Sequence, residues 1–201
     1  MPSLPIAITP GDPCGIGPEI IAKAWLQVPE WTRGCFVAGD VGVMRRAVAL
    51  LGEAAALPVC EIQSAQEAVR TPPRCLPVLQ VLEPVPVLPW GQVDARAGRA
   101  AGEAVLWATR AALRGDVAAL ATAPLHKEAL HAAGAPWNTY PGHTELLQAE
   151  AARHAGVSLQ EMPVRMMLAN DELRTVLVSI HVSLRDALDA ITHAQVLQTL
   201  Q

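Results

Sequence analysis

Apolar positions recur along this chain in two rhythms. Short β-prone runs closed by turn residues alternate with longer stretches in which apolar side chains return every three or four positions. Ile6–Thr9 is the first short run, and Pro10-Gly11-Asp12-Pro13 ends it. Gly15-Ile16-Gly17-Pro18-Glu19 follows, with Pro18 suited to the first turn of a helix and Glu19 placed near its positive end. Residues 35–38 read as a second strand closed by Gly39-Asp40. Residues 43–51 then carry Val43, Ala47, Leu50 and Leu51 at helical spacing, with Gly52 as a stop. Further strands are predicted over 57–62 and 76–82, with a brief helix over 64–69 between them. Pro84, Pro86 and Pro89 forbid regular helix over 83–92 and predict an extended connection.

The longest helical signal spans 94–114, where Ala101, Val105, Ala108 and Ala112 form one stripe of small residues and Gly115 is the cap. Residues 117–121 have the pattern of a buried strand that runs into Pro124-Leu125-His126-Lys127, and a helix is predicted over 127–133. Another covers 145–155, with Thr144 at its N-cap. Strands over 164–169 and 173–182 are joined by Asn170-Asp171-Glu172. Two-residue alternation gives Val176, Val178 and Ile180 one face of the second strand and Leu177, Ser179 and His181 the other. Ser183-Leu184-Arg185-Asp186 opens a last helix carrying Leu184, Leu188 and Ile191, and the sequence stops inside it at Gln201 with no cap. That ending is expected of a fragment or of a helix cut short. Strand alternating with helix throughout predicts an α/β sheet with covered faces.

Composition narrows the function. Of 201 residues 51% are hydrophobic and 17% charged, enough apolar material for a substantial core. The formal net charge is −4 with dispersed Lys and Arg, which argues against a nucleic-acid partner and favours small metabolites. Cys14, Cys35, Cys60 and Cys75 form no C-x-x-C pair and read as reduced thiols of a cytoplasmic protein. Pro5 and Pro10 interrupt the first apolar run, which excludes an ordinary signal peptide, and no segment has the length to span a bilayer.

Candidate chemistry concentrates in a few places. The glycine-rich turn at 11–17 suits either an anion site at a helix start or tight backbone geometry. His126 and Lys127 stand beyond the carboxyl end of a predicted strand, where α/β sheets gather functional groups. Lys127 suits a phosphate or carboxylate partner, although lysines at helix starts are commonly just solvated. Pro141-Gly142-His143-Thr144-Glu145 places a polar pair next to a glycine and a helix start, fit for an oxygen-rich ligand. For Thr144 the alternative is a capping role, and for His181 it is an ordinary hydrogen-bonded histidine, since a metal needs three or more donors. His131, His154 and His193 lie within helical patterns.

Taken in order, Ile8-Thr9-Pro10-Gly11-Asp12-Pro13, Gly15-Ile16-Gly17-Pro18-Glu19, Pro124-Leu125-His126-Lys127, Pro141-Gly142-His143-Thr144-Glu145 and residues 175–186 around His181 resemble the 4-hydroxythreonine-4-phosphate dehydrogenase family of vitamin B6 synthesis. The resemblance implies an isocitrate/isopropylmalate-dehydrogenase-like layered α/β fold, incomplete at its carboxyl end. Residues 1–201 would then be the amino-terminal part of a two-domain dehydrogenase that works as a homodimer with shared active sites. His143 and Thr144 match the family's substrate-binding pair, and His181 matches the first of three metal-binding histidines. Catalytic and cofactor-binding residues stay unassigned.

The implied reaction is NAD-dependent oxidation of 4-phosphooxy-L-threonine, with NADP as the alternative carrier and zinc, magnesium or cobalt as the divalent metal. The β-keto acid formed, 2-amino-3-oxo-4-phosphooxybutanoate, decarboxylates to 3-amino-2-oxopropyl phosphate. The family's other two metal histidines and its later substrate contacts fall beyond residue 201, so the chain alone is expected to have little or no activity. Alternatives are a related dehydrogenase acting on 4-phosphoerythronate or a cyclic dihydrodiol carboxylate, and a truncated noncatalytic homologue.

Overall fold

The computed structural model describes residues 4–52, 56–180 and 182–200. The chain divides into two compact units, Met1–Gly156 and Val157–Gln201.

The first unit is a parallel sheet with helices on its faces. Its elements are β1 (Ile6–Thr9), α1 (Gly17–Gln27), β2 (Cys35–Gly39), α2 (Val41–Ala49), β3 (Val59–Ile62), a 3-10 turn at Ala65–Arg70, β4 (Leu76–Gln80), α3 (Ala95–Arg114), β5 (Ala119–Thr122), α4 (Lys127–Ala132), a 3-10 turn at Trp137–Thr139 and α5 (His143–Ala155). The five strands lie in the order β3-β4-β2-β1-β5, each paired in parallel with its neighbour.

β2, with partners on both sides, is buried at all five positions, and its two-residue alternation divides the core. Cys35 and Val37 face Ile21, Ala22 and Trp25 of α1 and Val41 and Met44 of α2. Phe36 and Ala38 face Ala108 and Ala111 of α3 together with Ala65 and Ala68. Fully buried side chains such as Phe36, Met44 and Leu76 each contribute about 1.5–3 kcal/mol by leaving water.

Local chemistry sets the element ends. Asp40 caps α2 by accepting from the Val43 N–H at 2.6 Å, and its other oxygen accepts from Gln80 Nε2 and the Val85 N–H. Asp94 caps α3, and Gly115 ends it in the left-handed conformation. The proline-rich stretch 83–92 forms no helix or strand, as predicted. Arg46 holds it, donating to the Leu88 carbonyl at 2.7 Å with its guanidinium 3.7 Å from the centre of the Trp90 ring.

Several expectations need correction. The segment at 117–121 is not a buried strand: β5 begins at Ala119, and Ala119, Ala121 and Thr122 are exposed because β5 has only β1 beside it among the described residues. β3 starts at Val59, leaving Leu57 buried in the core just ahead of it, and β4 ends at Gln80. Cys60 and Cys75 are half-buried free thiols, and burial, together with the hydrogen bond that the protonated Cys75 thiol makes to Cys60, pushes Cys75 up to about 12.

The second unit contains β6 (Met167–Ala169) and β7 (Arg174–Val176), an antiparallel hairpin, followed by α6 (Leu184–Ala190) and α7 (His193–Leu200). β7 ends at Val176, so the predicted alternation has no strand beneath it over the described residues 177–180. The expected single terminal helix is broken at Ile191-Thr192. Thr192 Oγ1 accepts from the Gln195 N–H at 3.3 Å, so a Thr-x-x-Gln start, unread in the sequence, opens a separate helix. None of the described residues of this unit is buried.

Candidate active site

The glycine-rich turn after β1 is shaped by the protein's own backbone. At Gly11, where φ is +68°, an added Cβ would stand 2.1 Å from the Pro124 carbonyl oxygen, and at Gly17 it would stand 2.1 Å from that of Pro10. The Asp12 carboxylate is consumed locally, accepting from the Cys14 N–H at 2.8 Å. Of the two readings of this turn, tight geometry accounts for Gly11 and Gly17, whereas a Cβ at Gly15 would meet only ordinary contacts with Asp12 at 3.5 Å. The Asp12 N–H donates to the Pro124 carbonyl at 3.0 Å, which ties the turn to the loop after β5.

That loop delivers α4. His126 is its N-cap, with Nδ1 accepting from the Ala129 N–H at 3.4 Å, so His126 serves as a positioning group and Lys127 is the first helical residue. α4 lies against α3 at unusually short range: a Cβ at Gly98 would fall 1.9 Å from the Ala129 carbonyl oxygen, and one at Gly102 would fall 2.6 Å from the Trp137 ring. Beyond α4, Leu130 and Trp137 pack with Val105 and Leu146, joining α3 and α4 to α5. The result is a fixed relation between the start of α4 and the start of α5.

At the start of α5 the structure corrects one assignment. The N-cap is Gly142, with no side-chain capping bond, and the helix begins at His143. Thr144 therefore lies within the first turn, half-buried, and capping does not occupy its hydroxyl. Gly142 differs from Gly11 and Gly98, because a Cβ there would meet only Lys127 Cε at 3.6 Å and Glu145 Oε2 at 3.7 Å, ordinary contacts. Packing does not demand a glycine at 142. Its missing side chain leaves space beside His143, bracketed by one cationic and one anionic side chain.

His143 is half-buried, and burial lowers its pKa below the ordinary 6.5, so the ring is neutral at pH 7. Its Nε2 is buried without a hydrogen-bond partner among the described residues. A neutral imidazole with one nitrogen unspent and a neighbouring uncommitted hydroxyl can donate to, or accept from, a polar ligand. Lys127, Glu128, His131, Asn138, Thr139, Tyr140 and Pro141 line an open cavity of about 460 Å³ that extends along the chain as far as Pro141, two residues before His143.

The structure thus brings Lys127 beside Gly142, the residue before His143, although 127 and 142 are far apart in sequence and no spacing signals their proximity. His181, expected to ligate a metal, lies outside the described residues. Among the described residues no group of three or more His, Cys, Asp or Glu side chains is arranged to hold a metal ion. No described helix is long and apolar enough to cross a membrane.

Comparison with known proteins gives a consistent picture. The family described as "Pyridoxal phosphate biosynthetic protein PdxA" matches residues 31–201. A 4-hydroxythreonine-4-phosphate dehydrogenase from Beijerinckia indica is 46% identical over 189 residues, covering 92% of this chain and 50% of the relative. A D-threonate 4-phosphate dehydrogenase from Salmonella typhimurium is 39% identical, covering 95% of this chain and 55% of its own length. The crystal structure of a 4-hydroxythreonine-4-phosphate dehydrogenase from Burkholderia phymatum superposes with a TM-score of 0.82 at 33% identity, over 98% of this chain and 56% of that one. The chain spans about half the length of the relatives it matches.

Proposed function

Since the chain belongs to the family of the pyridoxal phosphate biosynthetic protein PdxA, we propose that it is the amino-terminal part of a two-domain dehydrogenase layered like isocitrate and isopropylmalate dehydrogenases. The proposed reaction oxidises the 3-hydroxyl of 4-phosphooxy-L-threonine with NAD, or NADP in its place, to 2-amino-3-oxo-4-phosphooxybutanoate, which loses carbon dioxide to give 3-amino-2-oxopropyl phosphate. The observation that carries this reading is the 46% identity to a 4-hydroxythreonine-4-phosphate dehydrogenase across 92% of the chain.

In this reading His143 and Thr144 hold the substrate. The neutral imidazole offers Nε2 to a substrate oxygen, and the Thr144 hydroxyl supplies a second hydrogen bond. Their places in the first turn of α5, whose Leu146 is buried against α3 and α4, fix the geometry before ligand arrives. His181 would give one imidazole to a divalent metal such as zinc, magnesium or cobalt. Its other ligands would come from the half of the relatives' length that this chain does not span, and the site would be shared across a homodimer. When bound, the metal supplies Lewis acidity at the reacting oxygen and the nicotinamide supplies a hydride acceptor.

A second substrate is favoured by one observation, the 39% identity to a D-threonate 4-phosphate dehydrogenase. Steady-state NAD reduction by the complete protein with 4-phosphooxy-L-threonine, D-threonate 4-phosphate and 4-phosphoerythronate separates the readings. The highest kcat/KM is expected with 4-phosphooxy-L-threonine. Preference for either of the others removes the first reading, and no turnover of any of them removes the family activity.

A further inference from the structure

We propose that Lys127 is a further ligand-contacting residue of this site, its ammonium pairing with an anionic oxygen group, phosphate or carboxylate, of the molecule held at Gly142 and His143. This deepens the reading of His143 and Thr144 as substrate-binding residues and rests on it. Lys127 is exposed and lines the 460 Å³ cavity, and its Cε lies 3.6 Å from where a Gly142 Cβ would stand, one residue before His143. It takes part in none of the ion pairs among the described residues.

The bland account of Lys127 is a solvated lysine, the commonest fate of that residue. Three observations weigh against it. As the first residue of α4, Lys127 sits where a cation opposes the helix dipole, so stability of the helix does not explain a lysine there. Its base is held rigidly: the His126 ring caps the helix, Ala129 and Leu130 are fully buried, and Gly98 lets the Ala129 carbonyl press onto α3. Glu145 approaches the same point, its Oε2 3.7 Å from it, and would repel an anionic ligand unless a cation stood nearby. Lys127 is that cation, and a compact ammonium on a flexible stem suits a phosphoryl or carboxylate oxygen.

Inorganic phosphate, and separately acetate, would be titrated into the isotopically labelled chain against chloride at equal ionic strength, while the amide resonances of Gly142 and His143 are followed. Saturable shifts are expected in the wild type, with the midpoint raised about tenfold in Lys127→Met and partly restored in Lys127→Arg. A stronger response to phosphate assigns the phosphoryl group to Lys127, and a stronger response to acetate assigns the carboxylate. Either outcome supports the proposal. Shifts no larger than those in chloride, or an unchanged midpoint in a folded Lys127→Met, overturn it. If phosphate binds through Lys127 while the complete protein fails to oxidise 4-phosphooxy-L-threonine, the anion contact stands and the substrate reading falls.

Discussion

At the scale of single residues, His143 couples ligand chemistry to stability. Burial lowers its folded-state pKa below the 6.5 of the free side chain, so the unfolded chain binds a proton more readily. Its contribution is fully present above pH 6.5 and is lost as pH falls from there through the lower folded value. Urea midpoints measured between pH 8 and pH 5 should therefore decline more steeply in the wild type than in His143→Gln, and equal slopes would remove this account. Gly142 offers a contrast between folding and binding. A methyl group there meets only ordinary contacts, so Gly142→Ala should melt within about 0.5 kcal/mol of the wild type. It should nevertheless weaken ligand binding, read as a raised KM in the complete protein, because the methyl occupies the space beside His143. The sequence singles out Gly142 and the polar pair after it as fit for an oxygen-rich ligand and offers a cap as the alternative for Thr144, but neither the burial of His143 nor the ordinary contacts at Gly142 are visible in it. The helix starts two residues earlier than that cap requires.

Among elements, α3 shows how much a pattern can reveal. Its stripe of small residues and its terminal glycine were legible, and the helix runs from Ala95 to Arg114, with Asp94, read as its first residue, serving instead as its N-cap. What the stripe could not reveal was its partner. Gly98 and Gly102 stand one turn apart and admit the α4 backbone and the Trp137 ring. In Gly98→Ala, the helix-propensity gain of about 1 kcal/mol competes with a clash against backbone that cannot rotate away. Overpacking of this kind costs about 1–3 kcal/mol, so the substitution should destabilise in a denaturant melt. A gain in stability would show that α4 can retreat. β5 illustrates the converse limit: apolar content predicted a buried strand, but burial depends on what lies alongside, and β5 has one strand neighbour among the described residues. The break between α6 and α7 was missed because helical periodicity runs through Ile191-Thr192 while the Thr192 cap resets the backbone.

For the molecule as a whole, an α/β sheet with covered faces and the family were legible, because strand–helix alternation and several ordered motifs span most of the chain. The proposed metal and nucleotide sites were not legible as a whole, since the resemblance matches only His181 of this chain to a metal ligand and the relatives are about twice as long. Purified 201-residue chain supplied with 4-phosphooxy-L-threonine, NAD and a divalent metal is expected to show little or no NADH formation by absorbance. Robust turnover would mean that these residues suffice. The division at Gly156 has a spectroscopic corollary. Trp25, Trp31, Trp90, Trp107 and Trp137, with Tyr140 and Phe36, all precede it, and no Trp, Tyr or Phe lies in residues 157–201. Intrinsic fluorescence is therefore carried by the sheet-bearing unit, and loosening of the hairpin and the last two helices would have to be followed through methyl groups or hydrogen exchange, because they carry no native fluorophore.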